Sequence, residues 1–517
     1  MSNKPQFRDY VKSFPNDITA SIVVFLVALP LCLGVALASN APLFSGIIAG
    51  VVGGIVVGLA SRSHLSVTGP AAGLTAIVAG SLALLPSFEA FLVAVVIAGI
   101  FQVLLGFAKA GVIGDFVPQS VIKGMLAAIG LILLINQFPH LLGDDSQFET
   151  DEGVPIKGNI FSNFFNAFGN INTSALLIGG LALLLNIGWE KFQKGKKGIV
   201  QFIPGPLLMV ILGVGLNQLF LSQQWLPALM GEHLVILPSA NSSTEFLSFF
   251  TSPDWSLLGN SEVFTIAVTL ALVASLESLL SIEAVDELDP YQRVTPTNRE
   301  LKAQGIGNII SGLLGGLPVT SVIVRSSANV NSGAKTKMST IYHGILLLLC
   351  VALIPGVLNQ IPKSALAAIL IFTGYKLAKP SLFVSFFKKG WNQFLPFVIT
   401  IVAILTTDLL KGVIIGIGVG IIFIIISNFK SAILVVNDNN KYLFRARKDI
   451  TFLNKSIIKQ GLEKVPEKSY VLIDLSRADF VDFDIIEIIE DFLKHAPLKN
   501  ITVEIKQSPF NKNLIKI

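Results

Sequence analysis

The chain has 517 residues and a formal net charge of +5, with 52% hydrophobic and only 14% charged residues. Soluble globular domains carry about 25% charged residues, so this composition excludes a wholly soluble protein and predicts a chain that lies largely in a lipid bilayer. We attribute the basic excess to cytoplasmic loops rather than to nucleic-acid binding.

The predicted membrane spans start at about Thr19, after a polar N-terminal segment. A spanning helix needs roughly 20 apolar residues. Such segments occur near 19–39, 43–60, 87–107, 118–137, 173–189, 204–221, 263–283, 339–356, 364–378, 394–409 and 412–433. Shorter or less apolar segments follow Pro70, Arg299 and Pro318. The sequence therefore predicts a polytopic α-helical membrane protein with about fourteen crossings or partial crossings.

The loop charges set the predicted topology. No Lys or Arg occurs between Lys197 and Arg293, and the loop 143–153 is acidic, whereas basic residues gather in clusters such as those at 4–12, 191–197, 293–302 and 376–389. With fourteen crossings, every basic cluster falls on the side of the N-terminus, which the positive-inside rule makes cytoplasmic. We therefore predict a multi-pass protein of the plasma (inner) membrane with both termini in the cytoplasm.

Two stretches interrupt the apolar pattern: SVTGPAAG at 66–73 and GGLPVTSV at 315–322. Pro70 lies 51 residues after Thr19, and Pro318 lies 55 residues after Val263. The similar spacing predicts two repeats, each with a short helix that starts at its proline, where a missing N–H costs no helical bond. Paired interruptions of this kind mark a transporter site near the bilayer midplane.

Two helix N-termini that face one point form an anion site, because their free N–H groups and dipoles are positive. The predicted anion-binding residues are Pro70, Ala71, Ala72, Val319, Thr320 and Ser321. Arg325 follows Pro318 by seven residues and shares a helical face with Ser321 and Asn329. A charge inside the membrane is expensive and indicates function, so we add Arg325 to the anion site.

Glu277 lies about halfway along the span that begins at Val263, and Ser281 lies one helical turn further on. A carboxylate at that depth must be protonated, paired with a cation or exposed to a water-filled cavity. We predict that Glu277 and Ser281 form the coupling-ion site, which binds a proton or sodium. The alternative is structural: Glu277 pairs with Arg325.

Other chemistry finds little support in the sequence. Cys32 and Cys350 lie in apolar runs and the five histidines are scattered, which indicates neither a disulfide nor a metal cluster. No nucleophile–base pair is recognisable. We therefore expect no enzymatic activity and no cofactor beyond a sodium ion.

The composition changes after Phe429. YVLIDLS at 470–476 predicts a buried strand, DIIEIIEDFLKHA at 484–496 a helix and ITVEI at 501–505 another strand. Such alternation is typical of a small α/β domain. We expect a transmembrane domain over 1–436 and a cytoplasmic domain over 437–517.

Several motifs together resemble the sulfate permease (SulP) family of inorganic anion transporters. They are VALPLCLGVALA at 27–38, SVTGPAAG, ESLLS at 277–281, NRELKAQGIGNIISGLLGGLPVTSVIVRSSANVNSGAKTK at 298–337 and VLIDLSRADFVDFD at 471–484. The resemblance implies an inverted repeat of seven plus seven spans, divided into core and gate subdomains, with a cytoplasmic STAS domain and homodimer assembly. It also implies that the anion site lies between the short third and tenth helices.

The resemblance extends to single positions. Glu277 and Ser281 match a sodium site of cyanobacterial bicarbonate transporters, whereas elsewhere in the family the acid is linked to protons. Two positions depart from the family pattern. Leu31 stands where a glutamine is common, which removes one polar contact to the anion. Phe483 follows Asp482 where related domains carry a phosphorylatable serine. We therefore expect that the short STAS domain has a structural or docking role.

The leading functional hypothesis is a secondary active transporter of a small inorganic oxyanion, sulfate or bicarbonate, in symport with sodium or protons. The alternatives are an uncoupled anion channel or exchanger, and a nucleobase or organic-acid transporter on the same fold. Apart from the anion, the coupling ion and the lipid bilayer, the expected partner is a second copy of the chain.

Overall fold

The computed structural model describes residues 7–112, 117–144, 164–193, 200, 203–239, 242–407 and 409–507. The chain forms two compact units, Met1–Ile417 and Gly418–Ile517. Within the described residues, nine helices are long and apolar enough to cross a membrane, and three more apolar helices are shorter.

The first half of the membrane part contains seven segments. They are α1 (Phe7–Ala38), α2 (Leu43–Ala60), strand β1 (Thr68–Pro70) with α3 (Thr75–Leu84), α4 (Phe88–Phe107), α5 (Gln119–Leu142), α6 (Thr173–Gln193) and α7 (Gly205–Gln223). A single 3₁₀ turn, Ala72–Leu74, separates β1 from α3. The third segment is thus a strand followed by a short helix.

The second half repeats this order. It contains α8 (Ser261–Leu288), α9 (Thr297–Leu313), strand β2 (Val319–Ser321) with α10 (Ile323–Asn331), α11 (Met338–Leu353), α12 (Lys363–Leu377), α13 (Trp391–Thr406) and α14 (Leu409–Ser431). Its third segment is again a strand with a short helix. The predicted arrangement of seven plus seven segments is confirmed.

The helices of the membrane part pack in two groups. α1 and α2 pack with α11, and α4 packs with α8 and α9, whereas α5 packs with α12 and α13, and α6 with α7 and α12. Small residues let the helix backbones approach each other. A Cβ on Gly99 in α4 would lie 2.6 Å from the carbonyl oxygen of Gly305 in α9, and a Cβ on Gly305 would lie 2.6 Å from the carbonyl oxygen of Gly99. Such contacts are typical of helix packing in lipid. The groups correspond to the predicted core and gate subdomains.

The C-terminal unit contains a four-stranded sheet in the order β3 (Ile433–Asp438), β4 (Lys441–Ala446), β5 (Tyr470–Asp474) and β6 (Thr502–Lys506). The β3–β4 pair is antiparallel, and the other two pairs are parallel. Helices α15 (Lys455–Glu463) and α16 (Phe483–His495) complete an apolar core. The predicted strand–helix–strand order is confirmed, whereas the identity of a STAS domain stays a prediction.

Two details of this unit bear on the sequence predictions. Strand β3 begins at Ile433, ahead of the predicted boundary after residue 436, so the sheet includes residues assigned to the membrane domain. Asp482 caps α16 by accepting a hydrogen bond from the backbone N–H of Asp484, and the side chain of Phe483 is 86% exposed. The domain boundary itself stays a prediction.

Candidate anion site

The two interrupted stretches meet as a short antiparallel pair of strands. Thr68 lies opposite Ser321, Gly69 opposite Thr320, and Pro70 opposite Val319. All six residues are buried. The sequence predicted that the two prolines mark one site, and the strand pairing brings the two stretches together.

Helix α9 holds this strand pair from one side. The amide nitrogen of Gln304 donates to Thr68 Oγ1 (2.9 Å), and the Asn308 side chain accepts from the Val319 N–H (2.6 Å) and donates to its carbonyl (3.1 Å). Ser311 Oγ donates to the carbonyl of Leu317 (2.6 Å). The contacts of Asn308 and Ser311 satisfy backbone groups that could not remain unpaired in lipid.

The sequence prediction did not identify this supporting role of α9. Polar residues recur at four-residue intervals along the segment, at Glu300, Gln304 and Asn308. This spacing places them on one helical face. A polar stripe on a membrane helix was the signal that could have identified them.

A cavity of about 90 Å³ adjoins the strand pair at Pro70. Its predicted site residues are Pro70, Ala72, Glu277, Ser281 and Arg325. The remaining wall includes Leu31 of α1, Met125 and Ile129 of α5, and Thr373 and Leu377 of α12. The cavity therefore lies between the two packed groups of helices, in mostly apolar surroundings.

Four other predicted anion-binding residues do not line this cavity, namely Ala71, Val319, Thr320 and Ser321. All four are buried at the strand pair. The N–H of Val319 is bonded to Asn308, and the N–H of Ser321 donates to Ser278 Oγ (3.3 Å). The expectation that these N–H groups are free is therefore wrong for Val319 and Ser321.

The reason for the difference is the place where the second short helix begins. We expected it to start at Pro318, but Val319–Ser321 continue as a strand and α10 starts at Ile323. The first helical bond runs from the N–H of Ser326 to the carbonyl of Val322. The N–H groups of Ile323, Val324 and Arg325 are the ones without a helical partner. These residues line the cavity.

Arg325 is 1% exposed and reaches across to the first repeat. Its Nη2 donates to the carbonyl of Pro70 (3.3 Å), and its Nε and Nη1 are buried without a hydrogen-bond partner within the described residues. A Cβ on Gly69 would overlap with Nη1. Gly69 has no left-handed φ angle, so we attribute the glycine there to the space that the guanidinium occupies.

The predicted common helical face is only partly found, because Ser321 lies in β2 whereas Arg325 and Asn329 lie in α10. All three residues lie at the interface between the repeats. Ser321 Oγ lies 2.5 Å from Ser66 Oγ, and Asn329 donates to the carbonyl of Leu65 (2.9 Å). Arg325 lies between these two contacts and binds Pro70. The three polar residues therefore hold the second interrupted segment against the first, and Arg325 alone also lines the cavity.

Glu277 and Ser281 line the same cavity from α8. The Oε2 atom of Glu277 is buried without a hydrogen-bond partner in the part of the chain that the structure describes. A Cβ on Gly73 would overlap with the Glu277 carboxyl group. Among the described residues, Glu277 forms no ion pair with Arg325. The structural alternative of a Glu277–Arg325 pair is therefore not found.

The potential metal ligands of the described chain are sparse. No group of three or more His, Cys, Asp or Glu side chains lies close enough to hold a metal ion in the residues that the structure describes. Glu277 and Ser281 offer carboxylate and hydroxyl oxygens, which suit a hard cation better than a transition metal. The role of Glu277 and Ser281 as a coupling-ion site stays a prediction.

Comparisons with known proteins match this chain to one protein family and to individual relatives. The sulfate permease family model matches residues 14–403. The chain is 26% identical to the putative sulfate transporter YvdB of Bacillus subtilis, over 81% of this chain and 75% of that protein. It is 24% identical to the bicarbonate transporter BicA of a Picosynechococcus strain, over 81% of this chain and 70% of that protein.

Solved structures share the fold. The overall structure of SLC26A9 matches with a TM-score of 0.76 at 16% identity, covering 96% of this chain and 84% of that one. The transmembrane domain of a cyanobacterial BicA matches with a TM-score of 0.65 at 21% identity, covering 81% and 99%. The chain is thus a multi-pass membrane protein and belongs to the sulfate permease family, whose members are anion transporters and not enzymes.

Proposed function

We propose that the protein is a secondary active transporter of a small inorganic oxyanion, sulfate or bicarbonate, driven by sodium or protons. One observation carries the proposal: Arg325, whose Nε and Nη1 have no hydrogen-bond partner among the described residues, and the first turn of α10 line one cavity together with Glu277. The names of the relatives, sulfate and bicarbonate transporters, support this choice of anion.

The anion binds to Arg325 and to the first turn of α10. A helix N-terminus carries about half a positive charge, and Arg325 adds a full one. The apolar wall formed by Leu31, Met125 and Ile129 keeps this charge poorly solvated, which strengthens its attraction for an anion. Pro70 and Ala72 complete the wall on the side of the first repeat.

Glu277 couples the anion to the cation. A charged carboxylate on the same cavity repels the anion, and a proton or a sodium ion removes that repulsion. The anion and the cation therefore bind with positive cooperativity, which by linkage is equal in both directions. Ser281 adds an oxygen ligand when the cation is sodium.

Transport follows from the place of the cavity between two packed groups of helices. Arg325 in α10 and Glu277 in α8 belong to the first group, because α10 packs on α1 and α8, whereas Met125 in α5 and Thr373 in α12 belong to the second group. Movement of the first group against the second exposes the anion to alternate sides. Rigid-body movement of this kind is the usual basis of alternating access.

Uptake by proteoliposomes tests the proposal. Labelled sulfate and labelled bicarbonate are supplied separately, each with and without an inward sodium gradient and an inward proton gradient. We expect accumulation of one anion that depends on one cation gradient. A voltage-dependent flux without accumulation would identify an uncoupled channel instead. Uptake of labelled uracil in place of both anions would identify a nucleobase transporter.

We also propose the arrangement in the cell. The protein lies in the plasma (inner) membrane as a homodimer with both termini in the cytoplasm, and the C-terminal unit is a short STAS domain that serves as a docking module. The basic loop clusters support this orientation. Fusion of alkaline phosphatase to the C-terminus tests it, since an active phosphatase would place that end outside.

A further inference from the structure

A second cavity of about 440 Å³ adjoins the anion cavity. The two cavities share five wall residues, namely Leu31, Ile323, Val324, Thr373 and Leu377. The larger cavity extends to Val23 in α1 and to Asn331 and Ser332 at the end of α10. That is the end of the helices that the loop charges assign to the cytoplasm. We call this cavity the vestibule.

The vestibule has two charged side chains in its wall, Lys376 of α12 and Glu190 of α6, among the residues that the structure describes. Lys376 Nζ lies 3.3 Å from Glu190 Oε1 and 4.6 Å from the centroid of the Phe372 ring. The two charged side chains are 41% and 46% exposed. The wall on the α10 side carries Ser327 and Asn331, which are polar and uncharged.

A small anion can replace the Glu190 carboxylate as the partner of Lys376 in this ion pair. Half-exposed Lys–Glu pairs contribute little to stability, because water screens both charges. A lysine ammonium is a compact charge with no fixed geometry, so it accepts an inorganic anion as readily as a carboxylate. The Phe372 ring holds the ammonium group in the vestibule by a cation–π contact, whether or not Glu190 is paired with it.

We propose that Lys376 is a second, outer anion-binding residue and that Glu190 is its resident competitor. The inference rests on the proposed function and adds a site to it. An inorganic anion from this side displaces the Glu190 carboxylate from Lys376 and then passes to the unbonded N–H groups of α10. Glu190 thereby weakens the capture of anions from the vestibule side, while the inner site at Arg325 is unaffected.

Three variants of the full-length protein test this inference. Glu190→Gln leaves Lys376 unpaired, so the KM for the anion presented on the vestibule side should fall about threefold. Lys376→Gln removes the outer site, and the same KM should rise about threefold or more. In the double variant, Glu190→Gln should have no effect, because it acts only through Lys376. Both positions are half-exposed, so the variants should fold.

Inside-out membrane vesicles present the vestibule to labelled sulfate or labelled bicarbonate, and right-side-out vesicles present the opposite face. We expect KM changes in the inside-out vesicles only. Lys379→Gln is the matched control, since Lys379 is an exposed lysine of the same region that is not part of the vestibule wall.

The failures of the two proposals are distinguishable. If the wild type transports the anion and the KM of Glu190→Gln equals that of the wild type, the outer site is excluded. The outer site is also excluded if Glu190→Gln lowers the KM equally in the Lys376→Gln background, or if Lys379→Gln raises the KM as much as Lys376→Gln does. A wild type that transports neither anion overturns the proposed function and this inference with it.

Discussion

The two interrupted segments are paired residue by residue, yet they contribute different things to the site. The first, SVTGPAAG, brings no charge: its two glycines lie where a Cβ would overlap with Arg325 or with Glu277. The second, GGLPVTSV, leads directly into α10, which carries Arg325. Glu277 also comes from the second half of the chain. The first repeat therefore provides space and backbone, and the second provides the charges.

This asymmetry shows that an inverted repeat of the fold does not imply a symmetric site. A membrane carboxylate and a membrane guanidinium are both expensive to bury. Each is placed against a glycine of the opposite repeat, Gly73 for Glu277 and Gly69 for Arg325. Among the described residues, the two charged side chains line one cavity without forming an ion pair with each other.

Arg325→Ala tests the charge that the second repeat contributes, and we expect it to have the largest effect. The substitution leaves the N-terminus of α10 in place and removes one buried positive charge. A charge-assisted hydrogen bond contributes about 1.5–3 kcal/mol, so anion affinity should fall roughly tenfold to a hundredfold. Equilibrium binding of labelled anion to the purified protein measures the change.

Arg299→Ala is the control for Arg325→Ala. Arg299 lies in the same half of the chain but is exposed, and its Nε donates to the carbonyl of Ala60. Its loss should leave anion affinity unchanged. Equal affinity in wild type and a folded Arg325→Ala variant would mean that Arg325 only holds the two interrupted segments together.

Gly69→Ala tests the space that the first repeat contributes. The added methyl group overlaps with Nη1 of Arg325 and forces the guanidinium to move within a buried site. Overpacking of this kind costs about 1–3 kcal/mol, so we expect a loss of about tenfold in anion affinity. Gly80→Ala in α3 is the matched control, because a Cβ there meets no atom within 4 Å. If both variants bind like the wild type, the space at Gly69 has no role in binding.

The sequence was sufficient for the architecture and for part of the site. Apolar segment lengths and basic clusters predicted the fourteen segments, and the similar spacing of Pro70 and Pro318 predicted that two interrupted segments meet. Charges at membrane depth singled out Arg325 and Glu277 as candidates. The structure shows that both line one cavity, and their roles in binding stay predictions. The segment lengths, spacings and charges depend on composition and position along the chain, which a sequence states directly.

Local backbone geometry was less predictable. A proline favours the first turn of a helix, but Val319–Ser321 form a strand because β1 and α9 supply their hydrogen-bond partners from distant parts of the chain. The polar spacing of Gln304 and Asn308 is visible in the sequence, but their hydrogen-bond partners in the strand pair follow only from the structure. The importance of Gly69 and Gly73 likewise follows only from the side chains that pack against them.

Glu277→Gln removes the negative charge from the cavity and leaves the positive charge of Arg325 in place. We expect it to change the coupling of transport to the cation more than the affinity for the anion. The amide imitates the protonated acid at nearly constant shape but cannot bind sodium as a carboxylate or release a proton. The anion affinity should stay within about threefold of the wild-type affinity at saturating cation, because the charge-assisted contact between the anion and Arg325 remains. Uptake should no longer respond to the cation gradient.

Gly73→Ala provides a second test of the same carboxyl group. Its methyl group overlaps with the Glu277 side chain and should change the cation dependence of uptake without adding or removing a charge. Accumulation against a gradient by Glu277→Gln, with wild-type sodium and pH dependence, would show that the coupling site lies elsewhere.

Removal of the C-terminal sheet and its helices, from residue 433 onward, should have the smallest effect, because all residues in the wall of the anion cavity lie between Leu31 and Leu377. A chain that ends at Ala432 omits the whole sheet, whereas one that ends at Val436 retains part of β3 without its partner strand. An unpaired strand edge promotes aggregation, so the shorter chain is the better test. We expect its anion affinity to be within about twofold of the full chain, a difference below the contribution of a single hydrogen bond. A folded, shortened protein that binds the anion tenfold more weakly would show that the removed residues contribute to the site. The contrast between the two repeats would then explain only part of the anion affinity.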